Sequence, residues 1–367
     1  MTEFNYVVVS DIHLGHRRTP TEAIIEHLDE ILTPLLTNEL DALFIAGDLF
    51  DQLLDYSMDE IAAIDLFLGR LFKRCAKYDI CVRILEGTPS HDRRQARHLY
   101  RLIALMELPL NYRYIDTLSV ETLDPYGVTI LYIPDEWQER SELTLSDAHA
   151  ALEQAGLTQV DLTIMHGQFH YQLTNVPETI SRHREEDYLN LTRYYIHVGH
   201  IHTHSVYDRI IASGSFDRLA HGEEEPKGLI RAHISPRGAR YEFIENVNAT
   251  TYKTLTLKTT EPEAVFAYLD RALAKYRPGS FIRLSAKTKI EPELLTALKV
   301  RYSNYHLSVK PVDTQVVTRV DSPTPVTYDA FSLTQANLKT LLTQAIESKY
   351  QFDEAKWRYY HEVTQEL

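Results

Sequence analysis

An α/β fold, built on a parallel or mixed sheet covered by helices, is the class that this sequence predicts for residues 1–250. Three observations lead to it. Short apolar runs of strand length alternate with longer stretches whose apolar residues recur every three or four positions, the pattern of strands joined through crossover helices. Hydrophobic residues at 44% and charged residues at 25% are ordinary globular values, which sets disorder aside. No apolar run reaches the roughly 18–20 residues of a membrane-spanning helix, so no membrane association is expected.

The elements follow in chain order. Residues 6–10 read as a strand, and residues 21–36 place Ile24, Ile25, Leu28, Ile31, Leu32 and Leu35 on one helical stripe, spaced for burial against a sheet. Residues 42–46 form a second strand. Residues 59–77 form a helix with Ile61, Ile64, Leu68, Leu71 and Phe72 on one face, and 80–85 a third strand. Further strands are expected at 113–121, 128–133, 162–165, 195–198, 205–212 and 228–234. From residue 251 the alternation restarts: strand 252–257, helix 261–276, strand 280–286, helix 291–303. The chain is thus expected to hold a large α/β domain over 1–250, a small basic domain over 251–311, a linker over 312–330 and a helical tail over 331–367. Pro311, Pro323 and Pro325 punctuate the linker region. The tail opens with Ser332 and Gln335 at capping-box spacing and continues with Leu338, Leu341, Leu342, Ala345 and Ile346 along one stripe. A lone helix of that length needs its apolar face buried on something, so the tail is expected to dock on a partner.

The formal net charge of −14 is unevenly spread. Residues 1–250 hold 22 Lys and Arg against 39 Asp and Glu, whereas residues 251–367 hold 16 against 13. Within 271–310 nine basic residues meet two acidic ones, and Tyr276, Phe281, Tyr302 and Tyr305 interleave with them. A nucleic-acid surface uses such a mixture for phosphate contact and base stacking; a solvated helix face is the plainer alternative. The N-terminus lacks the basic-then-apolar order of a signal peptide, and Cys75 and Cys81 fit neither a disulfide framework nor a zinc spacing. A cytoplasmic protein with two buried, inert thiols is the expectation.

Five short segments carry the chemistry: Asp11-Ile12-His13, Gly47-Asp48, Ser90-His91-Asp92, His166-Gly167 and Gly199-His200-Ile201-His202. Each follows an apolar strand, and ligands of open α/β sheets gather beyond the carboxyl ends of strands. Asp and His offer the oxygen and imidazole nitrogen that divalent metals accept. On an extended segment residues i and i+2 point the same way, so Asp11 with His13, and His200 with His202, can each reach one ion. Among the 17 histidines, His27, His98, His149, His233 and His361 lie on ordinary elements; His170, His183 and His204 lie near the motif loops.

In order and spacing this set resembles the calcineurin-like metallophosphoesterases. The resemblance covers Val9-Ser10-Asp11-Ile12-His13-Leu14-Gly15, Gly47-Asp48-Leu49-Phe50-Asp51, Gly87 with His91-Asp92, His166-Gly167 and Gly199-His200-Ile201-His202. It implies a four-layer αββα sandwich with a small α/β cap domain, and two divalent ions, manganese first among them. Asp11, His13, Asp48 and His202 would hold the first metal, Asp48 would bridge to the second, and His166 and His200 would complete the second site. His91 would act as acid or transition-state stabiliser, with Asp92 orienting its imidazole. The family reads Gly-Asn-His-Asp where this chain has Gly87-Thr88-Pro89-Ser90-His91-Asp92, with Ser90 expected in place of the ligating asparagine.

Within that superfamily the motif versions, the basic cap and the amphipathic tail resemble the SbcD-type DNA repair nucleases, including phage-encoded relatives. The resemblance implies DNA as substrate, an SMC-like ATPase of the SbcC type docked on the tail, and a homodimer through helices at 21–36 and 59–77. Asp51 stands where such nucleases often carry a histidine. A phosphatase or cyclic-nucleotide phosphodiesterase of the same fold, or a metal-poor scaffold, are the other readings.

Overall fold

The computed structural model of the chain describes residues 2–55, 59–135, 138, 140–173 and 181–310. In chain order the first part holds β1 (Phe4–Val9), α1 (Thr21–Ile31), β2 (Ala42–Ala46), α2 (Asp59–Lys77), β3 (Cys81–Leu85), α3 (His98–Leu105) and β4 (Tyr112–Ile115). Then come β5 (Ser119–Leu123), β6 (Val128–Ile133), α4 (Ser141–Gln154), β7 (Val160–His166), α5 (Glu185–Leu191), β8 (Thr192–Gly199), β9 (Ser205–Tyr207), β10 (Ile210–Ala212), β11 (Gly228–Ser235) and β12 (Gly238–Glu245).

These strands make two six-stranded sheets, ordered β12-β11-β1-β2-β3-β4 and β5-β6-β7-β8-β10-β9. Strands β1 to β4 run parallel, as do β6, β7, β8 and β10; the flanking strands are antiparallel. The class is mixed α/β, as expected. The period-2 alternation of β1 shows how it packs: Tyr6 and Val8 join Phe44, Ile130, Tyr132, Leu162 and Ile164 in a core between the sheets. Val7 and Val9 face the other way, onto Leu28 of α1, Leu68 of α2 and Leu99 of α3. Beyond the second sheet, Leu131, Met165 and Val198 pack on Leu152 of α4 and Leu189 of α5. The order of layers is helix, sheet, sheet, helix.

Residues 252–309 form β13 (Tyr252–Leu257), α6 (Pro262–Leu273), β14 (Phe281–Ala286), α7 (Pro292–Arg301) and β15 (His306–Val309). They make a three-stranded parallel sheet with its own core of Leu255, Val265, Leu269, Ile282, Leu284, Leu294 and Leu298. The described residues fall within one compact unit. The expected linker and tail lie outside the described residues. Among the described residues no helix is long and apolar enough to cross a membrane.

Three expectations need correction. The helix read over 21–36 ends at Ile31, and a 3-10 turn follows over Thr33–Leu35, because Pro34 has no N–H for the helical ladder. The strand read over 113–121 is two strands in different sheets: β4 closes the first sheet, and the chain then crosses to start the second at β5. The strand read over 205–212 is a hairpin that turns at Asp208, whose φ is 51°, a left-handed conformation that Asp tolerates. Helix α4 buries only Ala148 and Leu152 completely, and strand β12 is mostly exposed; neither carries an apolar stripe in its sequence.

Candidate metal centre

The five segments converge because they leave parallel strands at the same end. Asp11 and His13 follow β1, Asp48 follows β2, Gly87 and Thr88 follow β3, His166 ends β7, and His200 and His202 follow β8. Backbone bonds lock the loops: the N–H groups of Ile12 and His13 both donate to the Asp48 carbonyl, at 2.9 and 3.0 Å. Asp11, His13, Asp48 and His200 have φ of 50°, 55°, 50° and 96°. Such conformations are strained for residues with a Cβ and concentrate where function demands them. The glycines answer to crowding. A Cβ on Gly47 would stand 2.2 Å from His166 Nδ1, and one on Gly87 2.1 Å from the Asp48 nitrogen.

Three overlapping groups of donor atoms result: Asp11, His13 and His202; His13, Asp48 and His91; and Asp48, His166 and His200. Each group keeps its donor atoms within 4.8 Å of one another. Asp48 faces two ways. Its Oδ2 lies 3.7 Å from His13 Nε2 and its Oδ1 3.5 Å from His166 Nε2. His13 Nε2 and His202 Nε2 are 3.2 Å apart, and Asp11 Oδ1 is 3.9 Å from His202 Nε2. All six expected ligands, Asp11, His13, Asp48, His166, His200 and His202, are therefore brought together.

The outward nitrogens test whether the residues fit a metal. His166 Nδ1 donates to the Ala46 carbonyl at 2.9 Å, His202 Nδ1 meets Glu223 Oε1 at 3.1 Å, and Asp51 Oδ1 lies 3.2 Å from His13 Nδ1. Nδ1 of His166 and of His202 is hydrogen-bonded outside, whereas His13 Nδ1 only approaches Asp51 without forming a hydrogen bond; all three turn Nε2 inward. Outer partners of that kind set the tautomer and aim of metal-ligating histidines. Lys227, completely buried, holds Glu223 in turn: its Nζ lies 3.2 Å from Glu223 Oε2 and donates to the His202 carbonyl at 2.8 Å. The donor set fits two divalent ions sharing Asp48.

The catalytic pair departs from expectation. His91 is at the site, its Nδ1 donating to the Asp51 carbonyl at 2.7 Å. Asp92 does not orient it. The buried Asp92 carboxylate instead accepts three backbone N–H groups, from Gly87 at 2.8 Å, Phe50 at 2.9 Å and Asp48 at 3.0 Å. It is a clasp that joins the β2 and β3 loops. Ser90 is exposed and does not stand in for the asparagine. Thr88 lies among the donor groups: its N–H donates to Asp48 Oδ1 at 2.6 Å, and its hydroxyl lies 3.3 Å from both His166 Nε2 and His200 Nδ1. Thr88's place directly after Gly87 was the available signal.

Electrostatics follow the geometry. Burial opposes ionising Asp48, but His166 and His13 hold its carboxyl well below the usual range. Burial opposes charging His166, and Asp48 overrides it, raising the imidazole above its ordinary value. Burial, aided by His166, pushes His200 down to about 4. Burial and the Asp48 charge push Asp92 up to about 8, against its three N–H donors. Burial works against Glu223, but its bond to His202 and the charge of Lys227 bring it down to about 2. Asp51 and Thr88, which lie within the motifs but were given no role there, and Glu223, which lies outside them, also contribute to the site. His183 and His204 have structural bonds: His183 Nδ1 with the Tyr188 hydroxyl at 3.0 Å, and His204 Nδ1 with the Ala212 carbonyl at 2.7 Å.

Compared with known proteins, the chain matches no family model and no curated protein. Among solved structures it is similar to GAP50, the anchor in the inner membrane complex of Plasmodium, at 12% identity over 67% of this chain and 86% of that one, with a TM-score of 0.40. A second solved structure matches at 12% identity over 66% of this chain and 99% of its own length, with a TM-score of 0.38. At that identity and TM-score neither informs the site.

Proposed function

We propose that the chain is a two-ion phosphodiesterase of the metallophosphoesterase sandwich type, acting on DNA in the manner of the SbcD-type nucleases. One observation carries the reading: Asp48 presents Oδ2 toward His13 and Oδ1 toward His166, so a single carboxylate is shared by two donor groups. Asp11, His13, Asp48 and His202 would hold one ion; Asp48, His166 and His200, with the Thr88 hydroxyl beside them, the other. Divalent ions there, manganese by the resemblance, would lower the pKa of a water from 15.7 toward ~7 and neutralise charge on the phosphate. The protein's own part is orientation and proton handling. Because His91 Nδ1 is engaged by the Asp51 carbonyl, Nε2 is the nitrogen that would hold a proton toward the phosphoryl oxygens or the departing sugar oxygen.

The test is hydrolysis by the full chain with Mn²⁺ of labelled linear DNA, bis(p-nitrophenyl) phosphate and p-nitrophenyl phosphate. Cleavage of DNA and the diester is expected. Turnover of the monoester alone would replace this reading with a phosphatase.

The partners are proposed on the same footing. Leu66 of α2 and Leu105 at the end of α3 are 66% and 73% exposed, and Met106 Sδ lies 3.2 Å from where a Cβ on Gly69 would stand. This apolar surface supports a homodimer through the α2 side, and a mass near 42 kDa in light scattering would remove it. The SMC-like ATPase is proposed on the sequence of residues 331–367 alone; deleting 330–367 should abolish co-purification.

A further inference from the structure

Four basic side chains line a cavity of about 710 Å³, a size typical of small-molecule sites, which run ~300–1,000 Å³. Arg283 comes from β14, Lys299 from α7, Lys310 from just past β15, and Arg18 from the loop between β1 and α1. Among the described residues none of the four forms an ion pair with a carboxylate. Arg283 is half-buried and gives only Nε, to the Thr254 hydroxyl at 3.2 Å. Arg18, Lys299 and Lys310 are exposed and Arg283 half-buried, so four unpaired cations around one cavity, in a chain of net charge −14, offer a place for an anion.

The other lining feature is flat. The rings of Tyr252, Phe281 and His306 form a ladder, with centroids 4.6 and 4.3 Å apart and interplanar angles of 11° and 15°. Tyr252 is buried at one end, whereas His306 is exposed at the other, so the ladder ends in an accessible ring. His221 closes the wall edge-on to Tyr252, and its Nδ1 is buried without a hydrogen-bond partner among the described residues. His221 lies two residues from Glu223, the partner of His202. The cavity and the metal centre therefore share the loops after β1 and before β11.

We propose that this cavity binds a nucleotide unit, with its phosphate on Arg18, Arg283, Lys299 and Lys310 and its base stacked on His306 at the end of the ladder. Aromatic faces accept any base, and cations beside them take the backbone. The unit is either a free nucleotide or one residue of a strand passing toward the metals. As a place for part of a substrate it rests on the reading above; as a binding site it does not.

The experiment measures binding to the full chain in EDTA, where no hydrolysis occurs. The probes are deoxyadenosine 5′-monophosphate, inorganic phosphate, deoxyadenosine and a labelled deoxyadenosine 12-mer. The monophosphate should bind more tightly than phosphate or nucleoside. Arg283→Gln should weaken the monophosphate and phosphate alike, about tenfold, while His306→Ala weakens only the monophosphate, about tenfold, and His306→Tyr restores it. Thermal melts of each variant separate lost binding from lost folding. A 12-mer that binds much tighter than the monophosphate identifies a strand as the source; equal affinities identify a single nucleotide. Equal binding of phosphate and monophosphate, or variants that change neither, would overturn the site. A protein that binds in EDTA but never hydrolyses a diester sinks the proposed function and leaves this site standing, and the converse result does the opposite.

Discussion

The Thr88 hydroxyl lies 3.2 Å from Asp48 Oδ2, while the Thr88 N–H donates to Oδ1 of the same carboxylate at 2.6 Å. One residue thus grips both oxygens of the Asp48 carboxylate, and under the proposed function the ion beside Thr88 would be the weaker one. Thr88→Val removes the hydroxyl with little change of shape and should lower the affinity for one of two Mn²⁺ ions about tenfold. Thr88→Asn, which supplies an amide carbonyl, should tighten that ion. Ser90→Asn should do nothing, since Ser90 is exposed. Calorimetric titration checks all three; a response at Ser90 with none at Thr88 would reverse the assignment.

Glu223 acts through His202. Its Oε1 is 3.1 Å from His202 Nδ1, and buried Lys227 holds its other oxygen. Losing such an outer partner typically weakens metal affinity ~10–100-fold. Glu223→Ala is therefore expected to weaken one ion by that factor, and Glu223→Gln, which still accepts from Nδ1, to recover most of it. Equal Mn²⁺ affinity in the alanine variant and the parent would rule this role out.

Asp92→Asn should destabilise the fold itself. Three backbone donors converge on the carboxylate, and an amide puts a donor against at least one of them. Leaving a buried donor unsatisfied costs ~1–3 kcal/mol. Denaturant unfolding in EDTA should show a loss of that size, and an unchanged midpoint would contradict the clasp.

Stability without metal should fall as the solution is acidified. His197 sits between the two sheets, bonded to the Tyr6 hydroxyl at 3.0 Å, and burial pushes its pKa down to about 3 from an ordinary 6.5. Between those values the unfolded chain takes up a proton that the folded chain refuses, so this stability is present above pH 6.5 and drains away toward pH 3. The slope is about 1.4 kcal/mol per pH unit. His197→Gln should flatten the unfolding free energy between pH 6 and pH 4 by roughly one proton's worth, and an unchanged slope would exonerate His197.

How much of this was legible in the sequence differs by kind of information. The convergence of the six candidate ligands was, because Asp11, His13, Asp48, His166, His200 and His202 each sit at or just past the end of an apolar strand. The crossing from β4 to β5 was not: both are strand-like, and nothing local says that they belong to different sheets. Asp92 was misread because its partners are backbone N–H groups of Gly87, Phe50 and Asp48, which no side-chain motif records. Glu223 was missed because its link to His202 spans 21 residues and depends on how the loop before β11 folds back. Thr88 and Ser90 both offer a hydroxyl, and only the place of Thr88 directly after Gly87 hinted at which of them lies among the donor groups.

The most direct measurement is anomalous diffraction at the manganese edge from crystals of the full chain grown with Mn²⁺. The account predicts two peaks ~3.5–4 Å apart, with Asp48 between them, His13 and His202 on one side and His166 and His200 on the other. Absence of both peaks, or a single ion bound outside these six residues, would contradict it.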